Sequence, residues 1–132
     1  MTISNALSRV DALCPNTRPI AEKLAWLSQV DGQILELMSG YDSPTHPAVG
    51  APSEREPAHS IPYGEDDLGV ELLIPFPHDE VYVHYLHAMI MYAMGEFSKY
   101  ENAMVQYNYA MQQYRAQYAR THMPIQPRKR MF

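Results

Sequence analysis

From His78 to Met123 the chain runs without a proline, and this stretch constrains the fold more than any other. It holds 8 of the 10 tyrosines. Large apolar or aromatic residues fall at Tyr82, Tyr85, Met89, Ala93, Phe97, Tyr100, Met104, Tyr107, Met111, Tyr114 and Tyr118. Steps of three and four residues put such a row on one side of a helix. A stripe of this kind packs on its own domain or on another subunit. Methionine adapts to irregular surfaces, and tyrosine buries a large ring behind a polar tip. Met89 and Met91 cannot share a helix face, so the segment is apolar on more than one side. That is expected of a segment that contacts both its own core and a partner, with a methionine-rich ordinary core as the alternative.

Two local signals divide the stretch. Gly95 can end a helix, and Ser98-x-x-Glu101 can open one as a capping box. One uninterrupted helix over 79–121 would reach roughly 60 Å, long for a chain of 132 residues. The reading is therefore two helices, 79–94 and 99–120, with a single helix kinked at Gly95 as the alternative.

Upstream, Ile3, Leu7, Val10 and Leu13 share a face, which predicts a helix over 4–13 that stops at Pro15. Thr17 is a candidate N-cap and Pro19 a first-turn residue for a second helix over 19–38. Its stripe is Ile20, Leu24, Leu27, Val30, Ile34, Leu37 and Met38, flanked by Trp26, and Gly40 stops it. Five of the 11 prolines crowd into 44–62, so 41–66 reads as a long exposed loop. Residues 68–76 read as an extended arm, and a lone strand needs a partner. The Pro-rich loop or a neighbouring subunit could supply it. Residues 123–132 read as an extended tail. The fold class is thus mostly α: a single-domain bundle of about four helices with a long loop, a short β-like arm and a C-terminal tail.

Charge is split. Residues 41–80 carry nine acids against Arg55, a balance of −8, while 115–132 carry five basic residues and no acid. This argues against an extended basic face for nucleic acid. It suits head-to-tail pairing of identical subunits, though a solvated acidic loop and a basic tail would look the same. One cysteine excludes an internal disulfide framework. No run approaches the ~20 apolar residues of a membrane span, and nothing near Met1 reads as a signal peptide.

Chemistry-bearing groupings are few. Glu80, His84 and His87 share a helix face at i, i+4 and i+7, a geometry that can hold zinc or iron. The plainer reading is a polar helix face with Glu80 and His84 paired one turn apart. Cys14 lacks a neighbouring base and reads as a small buried residue. Glu65, Asp66 and Asp67 lack the ligand pattern of a calcium loop. There is no phosphate-binding glycine loop and no nucleophile elbow. The expectation is a non-enzymatic protein with no cofactor and no catalytic or metal site.

The order of these features resembles a known family. Trp26 with Asp31, Pro75–Asp79 followed by Tyr82 and Tyr85, and Gly95-Glu96 followed by Lys99-Tyr100 resemble the head–tail connector (adaptor, or head-completion) proteins of tailed bacteriophages. The resemblance covers most of the chain except 41–64. It implies a helical subunit in a ring, commonly of twelve copies, below the portal. Such a ring extends the DNA channel without sequence-specific contacts and carries the next neck or tail protein. It implies a place in the virion neck after assembly in the host cytoplasm. In similar proteins the C-terminal segment helps grip the portal. By position that is Met123, Pro124, Ile125, Arg128, Lys129, Arg130 and Phe132 here. The tyrosine stripe adds Tyr107, Tyr114 and Tyr118 as candidate subunit contacts. The alternatives are a helical protein-interaction module, weakly suggested by the run from Gly95 to Ala110, and a metal-dependent enzyme built on Glu80, His84 and His87.

Overall fold

The computed structural model describes residues 1–41 and 61–122. Four helices make up most of it: α1 (Ile3–Leu13), α2 (Ile20–Ser39), α3 (Glu80–Ala93) and α4 (Phe97–Thr121). Among the described residues, a 3-10 turn, Glu65–Asp67, lies between α2 and α3. The mostly helical bundle that the periodicity predicts is the one observed.

α3 is the central element and packs against α1, α2 and α4. Its sequence explains this position. Val81, Tyr82, Val83, Leu86, Ala88, Ile90 and Met91 are all buried, and three consecutive buried residues cannot lie on one helix face. The apolar second side expected to meet a partner is covered by α4 of the same chain. Burying such side chains contributes about 1.5–3 kcal/mol each. α1 presents a narrower stripe, Ile3, Ala6, Leu7 and Val10, whereas α2 buries Trp26, Leu27 and Ser28 in succession together with Leu24, Val30, Asp31 and Ile34. Leu13, expected on the α1 stripe, is 56% exposed because the helix ends there and the chain turns away at Cys14.

The division at Gly95 is observed, and its geometry is specific. Gly95 has φ +80°. Its N–H donates to the Tyr92 carbonyl at 3.1 Å, and the Glu96 N–H donates to the Met91 carbonyl at 2.9 Å. This pair of bonds is a Schellman closure, which requires a left-handed residue where glycine has no steric penalty. The predicted capping box is not used. α4 begins two residues earlier, at Phe97, because the closure delivers the chain straight into a new helix, with the Glu96 carbonyl accepting from Tyr100 N–H at 2.9 Å.

Two other expected details change. Thr17 does not cap α2. Pro19 holds that position, and its carbonyl accepts from Glu22 and Lys23 N–H at 3.1 and 3.3 Å. Among the described residues, the extended arm finds its partner in the N-terminal segment. Leu72 N–H donates to the Met1 carbonyl at 3.0 Å, and Ile3 N–H donates to Val70 at 3.0 Å. Thr2 and Glu71 form an antiparallel bridge. The arm therefore runs beside the start of α1, and Leu72 and Ile74 enter the core. At the end of the expected loop, Tyr63 is also buried. Positions 42–60 lie outside the described residues.

Candidate functional site

Two of the residues that carry the family resemblance, Asp31 and Tyr82, meet at one buried junction. Asp31 on α2 is completely buried. Its two carboxylate oxygens accept hydrogen bonds from the Tyr63 and Tyr82 hydroxyls, each at 2.5 Å. Leu73 N–H adds a longer bond to the same carboxylate at 3.3 Å. The Tyr82 hydroxyl in turn accepts from Ile74 N–H at 2.7 Å. Ser28 completes the set. Its hydroxyl donates to the Leu24 carbonyl and accepts from Tyr63 N–H at 2.9 Å. One acid thus ties α2, α3, the arm and the segment at Tyr63 together. Burial pushes both phenol pKa values up, and the Asp31 charge adds to the shift. A buried carboxylate is tolerated only with such hydrogen bonds. The signal was available in the sequence: Asp31 is the acid inside the apolar stripe of Leu27, Val30 and Ile34.

Glu80, His84 and His87 do not converge. The Glu80 carboxylate is engaged by Arg9 of α1 at 2.6 Å. His84 and His87 are both held below the ordinary histidine pKa, chiefly by burial. Among the described residues no group of three His, Cys, Asp or Glu side chains is placed to hold a metal ion. His84 instead borders a shallow groove of about 410 Å³, lined by Pro77, His78, Glu80, His84, Gln106 and Gln113, among others, and shares a second, smaller groove with His87. Cys14 is half-buried, and burial with the nearby Asp11 charge pushes its thiol pKa up, opposite to the shift that activates a nucleophile.

The proposed interface residues separate into two groups. Tyr107, Tyr114 and Tyr118 are 6%, 3% and 9% exposed within the subunit itself. Tyr107 packs on Tyr85 at a ring-centre distance of 4.9 Å, and Tyr114 packs on His78 at 5.6 Å. Tyr118 meets the Tyr41 ring edge-on at 5.1 Å and stacks on His122 at 3.7 Å. These three belong to the core of the subunit. They fill the space between α4 and its neighbours. Met123, Pro124, Ile125, Arg128, Lys129, Arg130 and Phe132 lie outside the described residues.

The exposed apolar surface lies elsewhere. At the α3–α4 turn, Tyr92, Met94 and Phe97 are 53%, 50% and 57% exposed. The Tyr92 ring holds Phe97 at 5.5 Å and Tyr100 at 5.1 Å, so the tip is an ordered aromatic cluster. Phe76 also stands out, between two prolines ahead of α3. Nothing in the sequence marked the tip as exposed, because Phe97 and Tyr100 read as continuous with the stripe that is buried further along.

No helix among the described residues is long and apolar enough to cross a membrane. The chain matches no protein-family model, no curated protein and no solved structure.

Proposed function

We propose that this chain is a structural subunit of a tailed-phage neck, forming a ring below the portal that joins head to tail and extends the DNA channel. In this reading it is not an enzyme and carries no cofactor. Its partners are further copies of itself, the portal and the next neck or tail protein. The observation that carries the proposal is the Asp31 junction. The positions that resemble connector proteins are scattered from Trp26 to Tyr100. They include Asp31 and Tyr82, which are hydrogen-bonded across the α2–α3 contact, and Gly95-Glu96, which closes α3. A pattern of architecture is thereby matched by a frame of architecture. The ordered aromatic tip supplies the kind of adaptable surface a ring subunit needs.

The test is electron microscopy of the chain mixed with its cognate portal. The expected result is a ring of 15.1 kDa subunits at the portal's outer end. Truncation after Thr121 should leave the four helices folded, as read by circular dichroism, and abolish docking. Absence of the chain from both portal complexes and virions would overturn the proposal.

A further inference from the structure

α4 carries a second stripe that is exposed and distinct from its core stripe. Glu101, Val105, Asn108, Gln112, Arg115 and Ala119 are all exposed. They follow one another at steps of four, three, four, three and four, the spacing of a helix–helix seam. The core stripe of the same helix is a different set: Ala103, Tyr107, Met111, Tyr114 and Tyr118. Between Glu101 and Arg115 no residue of α4 is charged. Solvated helix faces ordinarily intersperse charge, whereas interface cores are depleted of it and enriched in tyrosine. Val105 and the flanking Tyr109 are 63% and 64% exposed.

The two ends of this neutral stretch carry opposite charge. Within the subunit, neither Glu101 nor Arg115 has an ion pair or side-chain hydrogen bond among the described residues. We infer that the outer face of α4 pairs with the same face of a second copy, antiparallel, about a two-fold axis at Asn108. In that register Glu101 of each copy meets Arg115 of the other, and the two symmetry-related pairs lie about 21 Å apart along the helices. Val105 packs against Gln112, and Asn108 meets Asn108 on the axis. A parallel register would stack Glu101 on Glu101 and Arg115 on Arg115. The charge pattern therefore selects the antiparallel form.

The pairing belongs to the free protein. A ring about a single rotation axis has no two-fold between neighbours, so these dimers part when a ring forms. The inference goes beyond the connector reading and is tested without the portal. Four turns of helix form a small interface beside the ~1,200–2,000 Å² of stable complexes, so the dimer depends on concentration.

Sedimentation velocity of the full chain over rising concentration gives the test. The expected result is a monomer–dimer equilibrium that weakens in high salt. Glu101→Arg and Arg115→Glu should each weaken it at least about tenfold, because two symmetry-related pairs turn repulsive. The double variant Glu101→Arg/Arg115→Glu should restore it. Circular dichroism of the variants should match the parent, since both residues are exposed. A monomer at every concentration, a dimer indifferent to the single changes, or a double variant that fails to recover would each overturn the antiparallel pairing. None of these results bears on whether the chain docks to a portal.

Discussion

Asp31 shows how one residue can decide the arrangement of a small bundle. The carboxylate receives two phenol hydrogen bonds, and each removal leaves a buried polar atom short of a partner. Tyr82→Phe removes a donor from Asp31 and the acceptor of Ile74 N–H together. It should cost about 1–3 kcal/mol, read as a lower urea midpoint with unchanged slope. Tyr85→Phe removes only an exposed bond to Gln29 and should stay within about 0.5 kcal/mol. Equal losses in the two variants would show that the junction does not carry the frame. The same phenols set an alkaline limit. The Tyr114 pKa is raised from 10.0 to about 12, chiefly by burial, and Tyr63 and Tyr82 are raised further. The unfolded chain loses these protons from pH 10 upward while the folded chain keeps them. Their contribution is therefore complete below pH 10 and is lost as pH climbs toward and past 12. Ultraviolet titration should show a late-ionising tyrosine class that appears together with loss of helical signal. Ionisation of all ten tyrosines near pH 10 in a still-folded protein would contradict the burial.

At the scale of elements, the periodicity of the sequence was enough to find four helices and the break at Gly95. Their ends were less legible, because capping depends on where the incoming chain points. Thr17 and Ser98 have good cap chemistry, yet Pro19 and Glu96 hold those positions. The partner of the arm was hidden for a similar reason: the pairing of Leu72 with Met1 is a long-range contact that no local pattern encodes. Glycines show the same dependence on context. At Gly95 a Cβ would meet no atom within 4 Å, but φ is +80°, so Gly95→Ala should cost roughly 1–2 kcal/mol through backbone strain alone. At Gly32, inside α2, a Cβ also meets nothing within 4 Å and no left-handed φ is required. Gly32→Ala should instead stabilise by about 0.5–1 kcal/mol. Thermal melts of the two variants should move in opposite directions. A shift of the same sign in both would mean that the α3–α4 turn does not depend on its left-handed residue.

The whole molecule separates two jobs that the sequence presents as one stripe. Tyr107, Tyr114 and Tyr118 of α4 are packed into the subunit's own core, while Tyr109 on the same helix is exposed. Pattern alone could not show this, because a buried and an exposed aromatic obey the same three- and four-residue spacing. What separates them is how far α3 extends. Along its length it covers α4, and at the turn it ends, leaving Tyr92, Met94 and Phe97 half-exposed. These side chains add little to the subunit's stability, and an ordered apolar cluster in water is retained more readily where something else covers it. In the connector reading, that cover is a neighbouring subunit or the portal. Replacing both Tyr92 and Phe97 by Glu should therefore move the melting temperature little, since each already has more than half its surface in solvent. The same variant should fail to form a ring when mixed with portal. A complete ring from this variant would remove the tip from the assembly surface. A collapsed fold would mean instead that the cluster belongs to the core, contrary to its exposure.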